Sequence, residues 1–338
     1  MTKRAVLSGY FGFKNFGDEA ILSLLVNKLQ SLKYSVTVIS SNPDYTKAQF
    51  KHIRCVKTFD ISNIAGFISK SDVLISGGGS LLQDVTSLKS LIYYLFIIFL
   101  GVIFNKKVII FAQGIGPINS PIGKFLTKLL LKQCVYVSVR DKKSHELLKS
   151  WGINSELLCD PIFSLGIDNC KKTDTVAIQL RNFSTLTNDF IERLAQEIAN
   201  NFSDKIIEIY SFQDTIDLKI CQIFEKNLKM LNPDIKTKIY SALTNSEIIE
   251  KLSKAEYLIA MRFHAIIVGL LSKAKILGIN YDTKVERICE EFSVPLLELN
   301  KEFENQFDDL KLQNPVLRQD KLQQKEFDWT GFENCLAK

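Results

Sequence analysis

Arg262 and His264 stand two residues apart in Ala260-Met261-Arg262-Phe263-His264, between an apolar strand-like run and an apolar helix-like run. In an extended or turning segment that spacing lets both side chains point the same way. The guanidinium matches a phosphate or carboxylate, and the imidazole can exchange a proton near neutral pH. A lone histidine is commonly a satisfied core residue; an arginine beside it at a helix start favours a functional reading. Lys284, in Asn280-Tyr281-Asp282-Thr283-Lys284, follows the next strand-like run. It lies near a helix N-terminus, where a cation is unfavourable unless an anion binds; a solvated surface lysine is the plain alternative. Arg140 occupies a third such junction, in Val139-Arg140-Asp141, suited to an anion or to pairing with Asp141 or Glu146.

Three glycine-bearing loops follow other strand-like runs. The first holds Gly9, Gly12 and Gly17 and runs into Asp18-Glu19. Glycine there allows tight turns and close backbone approach to a ligand, and the helix start adds unpaired N–H groups. The spacing is not G-x-G-x-x-G, so a dinucleotide is a weak reading. Asp18 reads equally as a helix cap or a catalytic carboxylate. Gly77, Gly78 and Gly79 in Ser76-Gly-Gly-Gly-Ser80 suit a nest for an anion or sugar. Gln113, in Gln113-Gly114-Ile115-Gly116-Pro117, opens an accessory loop. His52 and His145 read as surface residues.

The elements that must position these loops alternate. Strand-like runs at Ala5–Tyr10, Ser35–Ile39, Asp72–Ser76, Lys107–Ala112 and Val135–Val139 are separated by helical periods. One such period, Asp18–Leu32, sets Ile21, Leu22, Leu25, Leu29 and Leu32 on one face. A second series follows, with strands at Val176–Leu180, Ile206–Tyr210, Tyr257–Ala260 and Lys275–Ile279. Its helices include Asn188–Asn200, Asp214–Lys229, Phe263–Leu271 and a run opened by the capping-box pattern Thr244-Asn-Ser-Glu247. Strands alternating with helices imply parallel sheets covered on both faces. The expected fold is α/β, with two doubly wound Rossmann-like domains facing across a cleft, 1–167 and 173–300. The boundary is expected within Asp168–Asp174, and 301–338 as a polar, helical tail packing back. In open α/β sheets ligands bind beyond the carboxyl ends of the strands, where all these loops lie.

Composition narrows the function. The 338 residues are 46% hydrophobic and 24% charged, which are globular values, with a mild net charge of +6 spread along the chain. That favours anionic small molecules or a phospholipid surface over nucleic acid. Seven scattered cysteines without a C-x-x-C pair, and three histidines, argue against a zinc site and for reduced thiols. The start lacks a signal-peptide apolar region, so a cytoplasmic location is expected. Ser90–Phe104 is almost wholly apolar yet shorter than the ~20 residues of a membrane span. It reads as a core helix, or as an exposed face for a homodimer or for resting on a membrane.

Together GYFGFKNFGDEAIL, LISGGGSLLQD, QGIGP, VSVRD, DPIF, MRFHAIIVGL and GINYDTKV, in this order from Gly9 to Val285, resemble the polysaccharide pyruvyl transferase family, in its CsaB-like branch. The resemblance implies a GT-B-like fold. It also implies phosphoenolpyruvate as donor and a sugar acceptor on a lipid-linked cell-wall precursor, giving a pyruvate ketal and phosphate. Asp18, Arg140, Arg262, His264 and Lys284 match positions regarded as functional in the family. The arginines and Lys284 would hold the donor's two anionic groups, leaving no need for a metal or cofactor. His264 would be the acid and Asp18 the base, or the reverse. The first domain would be the acceptor side and the second the donor side. Two other functions fit the same loops: a GT-B glycosyltransferase using a nucleotide sugar, and a non-enzymatic sugar- or anion-binding module.

Overall fold

The computed structural model describes residues 2–167 and 171–337. The chain divides into two compact units: residues up to Ser164 together with those from Glu326 onward, and Leu165–Lys325. The division expected within Asp168–Asp174 thus falls between Ser164 and Leu165; Asp168, Asn169 and Cys170 lie outside the described residues. The expected tail is split, with 301–325 in the second unit and the remainder in the first.

The first unit runs β1 (Arg4–Ser8), α1 (Phe16–Ser31), β2 (Ser35–Ser40), α2 (Pro43–Gln49), β3 (Arg54–Lys57), α3 (Ile61–Ser69), β4 (Val73–Gly77), α4 (Leu88–Ile103), β5 (Lys107–Gln113), α5 (Pro121–Leu131), β6 (Tyr136–Val139), α6 (Lys142–Ser150) and β7 (Glu156–Leu157). Its seven strands pair in parallel in the order β3-β2-β1-β4-β5-β6-β7. The second unit runs β8 (Thr173–Gln179), α7 (Asn188–Asn201), β9 (Ile206–Tyr210), α8 (Asp214–Leu231), β10 (Lys236–Tyr240), α9 (Asn245–Lys254), β11 (Ala255–Ala260), α10 (Phe263–Leu271), β12 (Lys275–Asn280), α11 (Thr283–Glu291), β13 (Leu296–Glu298), α12 (Gln306–Leu312) and α13 (Gln319–Gln323). Its six parallel strands lie in the order β10-β9-β8-β11-β12-β13. The last helix, α14 (Thr330–Ala337), belongs to the first unit.

Central strands are buried on both faces, so they read as continuous Val/Ile/Leu runs: Val6 and Leu7, Leu74 and Ile75, Val108 to Phe111, Ile276 and Leu277. In α1 the expected face is buried through Ile21, Leu22, Leu25 and Leu29; Leu32, past the last turn, is exposed. Asp141 caps α6 by accepting the Ser144 N–H, and Thr244 with Glu247 forms the capping box of α9. The Ser90–Phe104 run folds as α4 with one side in the core and the other in water. Among the described residues no helix is long and apolar enough to cross a membrane.

Candidate functional site

Each sheet reverses its strand order once. In the first unit the chain steps from β1 outward to β2 and β3, then returns to lay β4 on the other side of β1. The loops after β1 and β4 therefore diverge at a switch point, where a doubly wound sheet opens a crevice. Asp18 stands there in the first turn of α1 and accepts the Gly79 N–H at 2.9 Å through Oδ1. Gly78 has φ +114°, and a Cβ on Gly79 would lie 3.1 Å from Asp18 Oδ1 and 3.7 Å from Arg140 Nη2. The glycine loop is thus pinched between the carboxylate of Asp18 and the guanidinium of Arg140. Arg140 directly follows β6 and its side chain is largely covered; its Nη1 donates to Asp160 at 2.5 Å and its Nη2 reaches Ser80 Oγ at 3.4 Å. Its ion-pair partner is therefore Asp160, not Asp141 or Glu146. Gln113, fully buried at the end of β5, donates to Ser76 Oγ at 2.9 Å, and its Oε1 has no hydrogen-bond partner among the described residues.

Asp18, Gly78, Gly79, Gln113 and Arg140 are thus gathered at the carboxyl ends of β1, β4, β5 and β6. Two predicted glycines do other work. A Cβ on Gly77 would meet Leu25 Cδ1 of α1 at 2.7 Å, so its smallness serves helix-to-sheet packing. The Gly17 N–H donates to the Asn15 side chain that caps α1.

The loop after β1 has its own support, in Glu19. Oε1 of this buried carboxyl accepts the N–H groups of Gly12 (2.7 Å) and Lys14 (3.3 Å), while Oε2 has no hydrogen-bond partner among the described residues. Burial, aided by the neighbouring Asp18 charge and opposed by those N–H groups, raises its pKa to about 7.

In the second unit the switch point lies between β8 and β11. Arg262 caps the start of α10, yet its side chain turns to Asp217 in α8, with contacts of 2.7, 2.9 and 3.2 Å. Both groups are buried. Burial raises the Asp217 carboxyl although Arg262 draws it down. The Arg262 N–H is held by Gln179 Oε1 at 2.8 Å, tying the end of β8 to the loop after β11. The Arg262 side chain makes no capping hydrogen bond to the first turn of α10, where His264 sits half-buried with its ring edge-on to Phe263. Lys284 is exposed in the first turn of α11, whose cap Asp282 accepts its backbone N–H.

Arg181 is the residue that sequence reasoning missed here. It stands two residues past the end of β8, its N–H donates to Met261 Sδ at 3.2 Å, and Nη1 donates to Tyr281 Oη at 3.3 Å. The guanidinium lies 5.6 and 6.0 Å from the Tyr281 and Phe183 ring centres. Nε is buried without a hydrogen-bond partner among the described residues. Its signal was present, a cation at the end of an apolar strand, as at Arg140 and Arg262. Asp160 lay inside the quoted DPIF without an assigned role. Asp217 had no local signal, because its partner is 45 residues away.

Two doubly wound parallel units in one chain define the two-domain, Rossmann-like α/β class of GT-B type. The chain is similar in fold to the UDP-GlcNAc 2-epimerase of Methanocaldococcus jannaschii, at 13% identity over 91% of each chain and a TM-score of 0.61. It is likewise similar to HepE of Anabaena, solved with UDP and glucose, at 10% identity over 100% of this chain and 98% of that one, TM-score 0.60. A glycosyltransferase of Rickettsia africae gives 15% identity over 100% and 94%, TM-score 0.56. Among curated proteins none matches the chain significantly. The family model described as polysaccharide pyruvyl transferase matches residues 15–283, and the chain belongs to that family. The match takes in Asp18, Arg140, Arg262 and His264 and stops one residue before Lys284.

Proposed function

We propose that the chain moves the pyruvyl group of phosphoenolpyruvate onto a sugar of a cell-wall or surface polysaccharide precursor, forming a pyruvate ketal and releasing phosphate. Family membership supports pyruvyl transfer to a saccharide. The observation that carries the donor assignment is Arg181, a guanidinium at the switch point of the second sheet with an unsatisfied buried Nε. It lies one strand from the helix start bearing His264. A donor with a phosphate and a carboxylate suits such a cluster. Arg181, the first-turn N–H groups of α10 and Lys284 hold those groups. Arg262, neutralised by Asp217, acts as a positioning residue that fixes the start of α10.

The second unit is assigned the donor and the first the acceptor, with Gly78, Gly79 and Gln113 toward the sugar. His264 gives a proton to the methylene carbon as a sugar hydroxyl adds to the central carbon, and Asp18 takes the hydroxyl proton. The bond from that carbon to the phosphate oxygen then breaks. A second hydroxyl closes on the same carbon, its proton leaving with the phosphate. The test is phosphate release, with mass spectrometry of the sugar for gain of a pyruvyl unit and loss of water. Asp18→Asn and His264→Gln are each expected to lower turnover by roughly 10²–10⁴-fold. Near-native turnover in both removes their roles.

A nucleotide-sugar glycosyltransferase is the second reading, favoured by the fold likeness to HepE, solved with UDP and glucose. Thermal stabilisation by phosphoenolpyruvate and not by UDP favours the first reading; the reverse favours the second.

A further inference from the structure

A helix that covers a parallel sheet ordinarily turns a polar stripe to water. α4 does not. Its exposed positions Leu88, Ile92, Phe96, Phe99 and Ile103 recur every three or four residues and form one apolar line, with Lys89 at its edge. The opposite side, with Leu91, Tyr94, Leu95 and Ile98, is in the core. α5 repeats the arrangement with Ile122 (69% exposed), Phe125 (65%) and Leu129 (48%). The crossovers from β4 to β5 and from β5 to β6 advance in the same direction, so both helices cover one face of the sheet. They touch where Gly123 lies against Leu91, a Cβ there coming within 3.0 Å of its Cδ2. Eight large apolar side chains therefore share one outer surface, a patch of the kind that marks an interaction site.

Lysines outnumber acids in the sequence that builds this surface. Between Asp72 and Asp141 the sequence holds a single acid, Asp84, against Lys89, Lys106, Lys107, Lys124, Lys128 and Lys132. The Asp84 carboxylate is engaged by the N–H groups of Asn119 and Ser120 at 2.7–2.9 Å. Lys124, Lys128 and Lys132 follow one another at four-residue steps beside the apolar stripe of α5.

We infer that the α4–α5 face docks on an anionic phospholipid bilayer, with the apolar stripe in the headgroup–acyl boundary and the lysines against lipid phosphates. The helices lie on the membrane, since neither is long and apolar enough to cross it. A second copy of this chain is the poorer occupant. Pairing the same face about a two-fold axis would set one lysine-rich surface against another, with Asp84 the single acid between Asp72 and Asp141 to offset them.

The test is flotation of the full chain with vesicles of phosphatidylcholine, alone or mixed with phosphatidylglycerol. Binding is expected only to the mixed vesicles, weakening as salt rises. Phe96→Ser/Phe99→Ser and Lys124→Glu/Lys128→Glu/Lys132→Glu should each cut binding by roughly ten-fold or more, from the apolar and the charged side respectively. Neither variant touches a residue assigned to catalysis, so phosphate release with a soluble acceptor should be unchanged. That separates failure of this inference from failure of the proposed chemistry. No binding to anionic vesicles, or binding that neither variant alters, overturns the inference. So does a dimer in sedimentation equilibrium that the phenylalanine variant dissociates without any vesicle binding.

Discussion

Asp18 and Glu19 are adjacent carboxyls with opposite surroundings. One reaches Gly79 at the switch point, while the other is turned under the loop and buried. The Glu19 carboxyl titrates near 7 in the folded chain against 4.5 as its ordinary value. Below pH 4.5 it is protonated whether folded or not. As pH rises from there toward 7, the unfolded chain releases the proton while the folded one retains it, so folding loses stability across that window. The loss amounts to roughly 3 kcal/mol at most. Glu19→Gln keeps an oxygen for Gly12 and Lys14 but cannot ionise. Its stability relative to the wild type should therefore climb between pH 4.5 and 7 and level off above, as read by urea denaturation across that range. An unchanged difference at all pH values would remove Glu19 from this role.

Residue legibility followed distance along the chain. The strand-end cations Arg140, Arg262 and Lys284 and the helix-start Asp18 could be named from local pattern. Their partners Asp160 and Asp217 could not, because only the fold brings them within reach.

Among elements, the loop after β1 is the most constrained. Gly12 has φ +81°, and a Cβ there would stand 2.2 Å from Ser40 Oγ and 2.6 Å from the Asn42 nitrogen. Backbone cannot yield as a side-chain tip can. Gly12→Ala should cost about 2–4 kcal/mol, combining a left-handed alanine with overpacking. A thermal melt checks this, and an unchanged midpoint would mean that the loop relaxes freely. The central strands and the helices between them were legible because burial on both faces demands long apolar runs. β3 and β10 were not. Both are short edge strands carrying lysines, the means by which sheets discourage further pairing, and this erases the apolar signal. α3, which follows β3, was lost with it, since no strand marked where that helix should start.

At the scale of the whole molecule the chain returns to where it began. Phe332 of α14 is fully buried and meets Phe111 of β5 at 5.0 Å between ring centres, with Phe327 and Trp329 on the same ring at 5.4 and 5.2 Å. Phe332→Ala should cost the first unit about 3–5 kcal/mol. Both tryptophans, Trp151 and Trp329, belong to that unit, so their fluorescence reads its unfolding alone. The denaturation midpoint seen by fluorescence should fall clearly, and an unmoved midpoint would deny the aromatic cluster its role.

This cluster also sets an order of assembly. During synthesis the ribosome must make all of Leu165–Lys325 before the residues that cover Phe111 exist. At ordinary translation speeds that is a wait of roughly 10–30 seconds. The half of the protein that emerges first is the last to be sealed, and its nascent sheet must stay soluble with a bare aromatic surface while its neighbour is still being built.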